Sequence, residues 1–252
     1  MGVLGIPPAS LFFRRNLLYW VGGDCMIYIT GDMHGDLPRF KSKEMRKLRK
    51  NDYLIVCGDF GFVWDGSDKE RKLLKWIGKR RYHVLFVEGT HDNLDLLYEY
   101  PQTEWQGGMV REISGKLRLL CRGSVFQLEG LCLFTFGGGS SEDADIRREA
   151  RTWWSRELPT REEVAAAWEN LRLHDCQVDY IITHQGSGRA RQCLSIIEQG
   201  TSILDTFLDE VRATCKHKRW FFGGAHLDKF LPPSEVALFR KVIPIIQEKI
   251  SL

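Results

Sequence analysis

The chain has 252 residues, is 43% hydrophobic and 12% aromatic, and carries 36 basic against 33 acidic side chains, for a formal net charge of +3. That length and apolar content suit a globular protein with a real core, and no stretch approaches the ~18 consecutive apolar residues of a membrane span. So small a net charge does not by itself argue for nucleic acid and disfavours a long nucleic-acid groove, and seven cysteines without a CxxC pair fit a reduced, cytoplasmic set of small core residues rather than a disulfide frame or a zinc–thiolate site.

Residues 1–25 contain LFFRRNLLYWV, which is apolar but broken by Arg14, Arg15 and Asn16, so it does not read as a signal peptide. The segment lacks clear periodicity and precedes a complete strand. It is expected to be an extension outside the native protein, with Met26 the natural start and residues 26–252 a single domain. MIYIT (26–30) reads as the first buried strand and leads straight into GDMHGD, which holds Asp32 and His34. A helical stretch over 37–50 follows, with Leu37, Phe40, Met45 and Leu48 on one face. DYLIVC (52–57) is the second strand and ends at Asp59; residues 68–81 form a surface helix with Leu73, Leu74 and Ile77 inward. HVLFVE (83–88) is the third strand and leads to EGTHDN, with His91 and Asp92. This strand–helix rhythm is that of a βαβ sheet with right-handed crossovers.

The middle changes character. Residues 109–136 hold four short apolar runs, MVREI, LRLL, SVFQL and LCLFTF, with a tight turn at LEG (128–130), and are expected to build a second, more antiparallel sheet. GGGSS (137–141) lacks the G-x-G-x-x-G spacing of a dinucleotide loop. A charged helical region is predicted over 142–157, in which Arg147, Arg148 and Arg151 either form a solvated face or meet an anionic substrate, and in which one of Trp153 and Trp154 packs. Thr160 with Glu163 is a capping box that starts a helix running to about Leu173. VDYIIT (178–183) and RWFF (219–222) are two further strands, followed by His184 and by His226, with an amphipathic helix over 201–217 between them. His83, His174 and His217 belong to no motif and are expected to be surface or structural residues. Residues 236–249 are apolar enough to pack on the core or on a partner subunit.

In open α/β sheets, sites form beyond the carboxyl ends of the strands. Five strands that each deliver a carboxylate or an imidazole to one edge make a metal-binding constellation. Asp32 and His34, two apart in an extended segment, share a side and reach one ion. Imidazoles suit Mn, Fe, Zn or Ni better than Mg or Ca. A metal pair would activate a water and clamp a phosphoryl group. His91 would protonate the leaving oxygen, with Asp92 available to orient it.

The order GD-x-HG, GD, G-x-HD, TH, G-x-x-H resembles the calcineurin-like metallophosphoesterases, over about residues 26–230. GDFGFVWDG, the Trp153–Trp154 pair and VDYIITH are similar to the small bacterial branch of that family. The resemblance implies a two-sheet α/β sandwich with helices on the outer faces. It implies a first metal held by Asp32, His34, Asp59 and His226. A second is implied to be held by Asp59, His184, an Asn and a further His. Thr90 stands where that Asn is expected and Gly224 where that His is expected. One tight metal and a second weak or empty site follow, unless His217, Gln185 or Asp228 compensates. The function implied is hydrolysis of a phosphomonoester or phosphodiester, on a phosphorylated small molecule or nucleotide. The alternative is a catalytically impaired phosphate- or nucleotide-binding regulatory protein with a degenerate second metal site.

Overall fold

Five short apolar runs form the parallel strands that the sequence predicts. In the computed structural model, Ile27–Thr30, Tyr53–Cys57 and His83–Val87 pair in parallel, and Tyr180–Thr183 pairs with Arg219–Phe222 in the same way in a second sheet. The structure describes residues 25–141, 143–196 and 201–245, and the backbone of two short paired strands, Phe13–Arg14 and Leu17–Leu18. The rest of the expected N-terminal extension and the end of the apolar 236–249 segment lie outside the described residues.

The first sheet runs in space Ile243–Ile245, Ile27–Thr30, Tyr53–Cys57, His83–Val87, Leu117–Leu120, Gly108–Ser114, Gln102–Trp105. The second runs Lys229–Leu231, Glu235–Ala237, Arg219–Phe222, Tyr180–Thr183, Leu131–Phe136, Ser124–Leu128. Side chains alternate across each strand, and the two inner faces share one core. Ile27, Ile29, Ile55, Leu85 and Val87 from the first sheet meet Leu131, Leu133, Ile182 and Phe221 from the second. The outer face of the first sheet packs Leu54, Val56, Val84 and Phe86 against Leu74 and Ile77 of the helix Asp68–Gly78. The outer face of the second packs Phe134, Phe136 and Ile181 under the helices Arg161–Leu173 and Ile203–Thr214. This is the two-sheet sandwich with outer helices.

Local signals set the helix starts. Ser67 accepts the Glu70 N–H at 3.2 Å, and Thr160 with Glu163 makes the predicted capping box. Ser202 and Asp205 make a second box that opens the helix Ile203–Thr214.

Three expectations are corrected. Residues 37–50 are not one helix but two 3-10 turns, Leu37–Lys41 and Met45–Lys47. Ser42 interrupts them in extended backbone and its hydroxyl accepts the Met45 N–H at 3.3 Å, a local bond that competes with the helix. The 109–136 region does not form one antiparallel sheet. Gly108–Ser114 and Leu117–Leu120 join the first sheet, whereas Ser124–Leu128 and Leu131–Phe136 make a hairpin in the second. Its turn places Glu129 (φ +51°) and Gly130 (φ +75°) in the left-handed region that tight hairpins use. The 142–157 region yields a short helix, Ala144–Glu149, and a 3-10 turn, Ser155–Glu157, because Arg151 takes φ +57° and ends the first helix.

Candidate metal centre

The site sits where the parallel strands of both sheets end. Asp32 follows Ile27–Thr30 and Asp59 follows Tyr53–Cys57; His184 follows Tyr180–Thr183 and His226 lies four residues beyond Arg219–Phe222. One donor atom from each of Asp32, His34, Asp59 and His226 lies within 4.8 Å of all the others. The two carboxylates form a buried floor, and the two imidazoles face solvent. His34 Nε2 and His226 Nε2 point at each other across 3.0 Å, and His226 Nε2 lies 3.2 Å from Asp32 Oδ2. Nitrogen lone pairs converging over two carboxylates are a donor set fit for a divalent transition metal.

Backbone geometry aims these groups. His34 (φ +46°), Asp59 (φ +43°) and His226 (φ +50°) all occupy the left-handed region, at a cost of about 1 kcal/mol or more each. Asp32 and His34 therefore meet through a turn, not through the extended spacing expected. The Asp59 carbonyl accepts the N–H groups of Met33 (3.0 Å) and His34 (2.8 Å), tying the first two ligand loops together. Gly89 permits the third loop to close on them: a Cβ there would stand 2.0 Å from Asp59 Oδ1. Gly224 donates its N–H to both oxygens of Asp32, at 3.1 and 3.0 Å, and a Cβ there would stand 3.5 Å from the His184 ring.

The electrostatics follow from burial and pairing. Burial pushes Asp32 upward, but hydrogen bonds from His184 and His226 outweigh it and hold the carboxyl below its ordinary range. Burial also opposes Asp59 ionisation, and the charge of His184 with two hydrogen bonds from His91 again wins. His184 is fully enclosed. Burial lowers its pKa, yet the facing charges of Asp59 and Asp32 raise it to about 10. Its Nδ1 lies 3.6 Å from Asp32 Oδ1 and 3.2 Å from the Cys57 carbonyl oxygen, and its Nε2 lies 3.6 Å from Asp59 Oδ1. His184 touches both carboxylates without joining the four converging donors. His34 is lowered, chiefly by burial.

His91 stands at the rim. Its N–H donates to Asp59 Oδ1 at 2.7 Å and its Nδ1 lies 3.1 Å from Asp59 Oδ2, a bond that raises the imidazole pKa. Its Nε2 faces Asp143 Oδ2 at 3.5 Å. Thr90 Oγ1 lies 3.2 Å from His91 Nδ1. Asp92 does not meet the His91 ring among the bonds described; its buried carboxylate accepts the N–H groups of Gly61 (2.7 Å), Gly89 (2.9 Å) and Phe60 (3.2 Å). Burial and then the charge of Asp59 push Asp92 up to about 6, against those three bonds. A cavity of about 380 Å³ opens beside these groups, lined by Thr90, His91, Ser140, Asp143, His184 and His226 among others.

The three residues named as substitutes for the missing second-site ligands are committed elsewhere. Gln185 binds Ser140 N–H and Asp205, Asp228 accepts three backbone N–H groups of residues 239–241, and His217 bonds Cys215 and Ser234. Arg147 is neither a solvated residue nor open to substrate. It is 6% exposed, pairs with Glu157 at 2.6 Å, and donates to Ser141 Oγ, the Thr152 carbonyl and the Thr90 carbonyl. It braces the loop that carries His91, a role missed in the sequence because a long charged side chain on a polar helix carries no signal for burial. Trp154 packs edge-on to Trp64, while Trp153 lies under the Arg148 guanidinium.

The calcineurin-like phosphoesterase family model matches residues 26–239. The chain belongs to that family. Among curated proteins, none matches the chain. A solved structure similar to it is the phosphopantetheinyl hydrolase from Mycobacterium tuberculosis, at 17% identity and a TM-score of 0.42, over 87% of this chain and 91% of that one. Among the described residues, no helix is long and apolar enough to cross a membrane.

Proposed function

We propose that this protein is a metal-dependent phosphoesterase of the cytoplasm that hydrolyses a phosphomonoester or phosphodiester bond in a phosphorylated small molecule or nucleotide. The observation that carries this reading is the convergence of Asp32, His34, Asp59 and His226 donors within 4.8 Å, in a chain of this family. These four residues would hold one divalent ion tightly (Mn, Fe, Zn or Ni), while Asp59 and His184 alone would hold a second one weakly. The ion, when bound, supplies an activated water and draws charge from the phosphoryl group.

The chain's own groups do the rest. His91 faces the cavity with Nε2 and delivers a proton to the leaving oxygen; its bond to Asp59 favours the proton-loaded form. Asp92 fixes the loops around Phe60 and Gly89 and so sets where His91 stands. Arg147 holds the Thr90 carbonyl, and with it the His91 backbone.

The second reading is a phosphate- or nucleotide-binding regulator without turnover, favoured by Thr90 and Gly224, which stand where the resemblance calls for two ligands of the second metal. Assay of aryl phosphomonoesters and phosphodiesters with Mn, Fe(II), Zn and Ni separates the two. The enzyme reading expects multiple turnovers with at least one metal and a clear ester preference. Stoichiometric phosphate binding with no turnover under any metal refutes it.

A further inference from the structure

We infer that the outer face of the first sheet carries a docking groove for single-stranded RNA, separate from the metal centre. The net charge of +3 conceals a steep asymmetry. Between Arg39 and Lys50 stand seven Lys and Arg residues and a single acid, Glu44; between Lys69 and Arg81 stand seven more and a single acid, Glu70. These two segments hold twelve excess positive charges, so the remainder of the chain is net acidic.

The fold brings the two segments together. Phe40 packs edge-on to Trp76 with ring centroids 6.1 Å apart, and Arg81 donates to the Arg46 carbonyl at 2.8 Å. Between them lies an open cavity of about 540 Å³ lined by Arg46, Trp76, Lys79, Arg80 and Arg81 over a floor of Phe40 and Tyr82. Residues 79–82 precede the strand His83–Val87, whose far end leads to His91, so the groove and the metal centre lie at opposite ends of that strand.

Among the described residues, no carboxylate lies within ion-pair distance of Arg46, Lys79, Arg80 or Arg81, whereas Arg71, Arg118, Arg122, Arg147 and Arg148 each have one. Four unpaired cations around one concavity match a chain of phosphates. The Arg80 guanidinium lies 3.4 Å over the Trp76 ring, giving a flat cationic plate on which an unpaired base stacks. A duplex hides that surface of its bases, and the abundant single-stranded polymer of a cell interior is RNA. An anionic membrane is the poorer fit. Interfacial docking needs apolar side chains to insert, and the large exposed ones among the described residues (Trp64, Met109, Ile146, Leu173, Phe230) line no part of this cavity.

The test is fluorescence anisotropy of a labelled oligo-uridine 20-mer with the full chain in chelator, over a salt series. Four phosphate contacts give a log–log salt slope of about −3. The double variant Arg46→Glu/Lys79→Glu, both exposed positions, is expected to bind at least about tenfold more weakly with a shallower slope, while Arg172→Glu on the opposite face leaves binding within about twofold and thermal melting shows all three chains folded. Equal affinity of the double variant and the parent overturns the proposal. So does capture of the parent by phosphatidylglycerol vesicles, with loss in the double variant, when the oligo-uridine does not bind.

Discussion

Placing His at position 224 tests the account of the second metal site, because the structure assigns it two opposing effects. Gly224 lies at φ +66°, where any residue with a Cβ is strained by about 1–2 kcal/mol. An added Cβ would stand 3.2 Å from the His184 carbonyl oxygen and 3.5 Å from the His184 ring, a tight but not prohibitive fit. The Gly224→His protein is therefore expected to lose about 1–3 kcal/mol of stability in chelator. The new imidazole leaves the backbone beside the His184 ring, where the resemblance places a ligand of the second metal. Each tenfold gain in metal affinity restores about 1.4 kcal/mol at fixed saturating Mn. A hundredfold gain, about 2.8 kcal/mol, offsets nearly all of the largest expected loss and reverses the order of stabilities for a loss of about 2 kcal/mol. Urea unfolding in chelator and in saturating Mn reads both effects. Gly224→Ala carries the same backbone strain with no ligand, and should lose stability under both conditions. A Gly224→His protein as stable as the parent in chelator, or stabilised by Mn no more than Gly224→Ala, would exclude these two effects at position 224.

Two further outcomes follow from groups outside the metal-ligand set. Arg122 Nε lies 2.6 Å from Glu88 Oε1, at 3% and 1% side-chain exposure, so Arg122→Leu leaves a buried carboxylate without its partner and should cost about 3–5 kcal/mol by urea unfolding. Adding Glu88→Leu should recover a large part of that loss, and a single variant within about 1 kcal/mol of the parent would exclude a structural role for the pair. His83, stacked on Tyr53 at 4.9 Å, is pushed down to about 4 by burial and by Lys116 and Arg118. Its folded pKa lies below its unfolded one, so the unfolded chain binds the extra proton and stability falls as pH drops from about 6.5 to 4. With its partial exposure discounted, the effect is roughly 1–2 kcal/mol; His83→Phe should flatten stability-versus-pH in that window, and an unchanged slope would remove His83 as the cause.

The parts of this fold legible in the sequence are those where one local pattern has one structural outcome. Each parallel strand is a short apolar run closed by a polar or glycine-bearing turn, and the ligands Asp32, Asp59 and His226 lie in the turns that follow. The box at Thr160 and Glu163 is equally local. Other features depend on contacts far along the chain. Alternation in 109–136 identifies strands but not which sheet each joins, and the split falls at Cys121–Gly123. The apolar spacing of Phe40, Met45 and Leu48 serves two 3-10 turns as well as it serves a helix, since all three end up buried either way. Arg147 looks like a surface residue until Glu157 and the Thr90 carbonyl converge on it. The basic groove is invisible in a net charge, because acids elsewhere in the chain cancel it. At position 224 the sequence shows only a missing ligand side chain; the bond from the Gly224 N–H to Asp32 is visible in the structure alone.

Asp59 stands at the middle of the proposed hydrolytic centre. Asp59 approaches His34 at 3.8 Å, His91 at 3.1 Å and His184 at 3.6 Å, so it joins the ligand set to the proton donor. The most direct test is Mn-dependent hydrolysis of an aryl phosphodiester and an aryl phosphomonoester by the parent and by Asp59→Asn, with metal content measured on the same samples. The expected result is turnover by the parent with about one tightly held metal per chain, and loss of both turnover and metal in Asp59→Asn. Equal rates in the two proteins, or no turnover by a parent that holds its metal, would contradict the account.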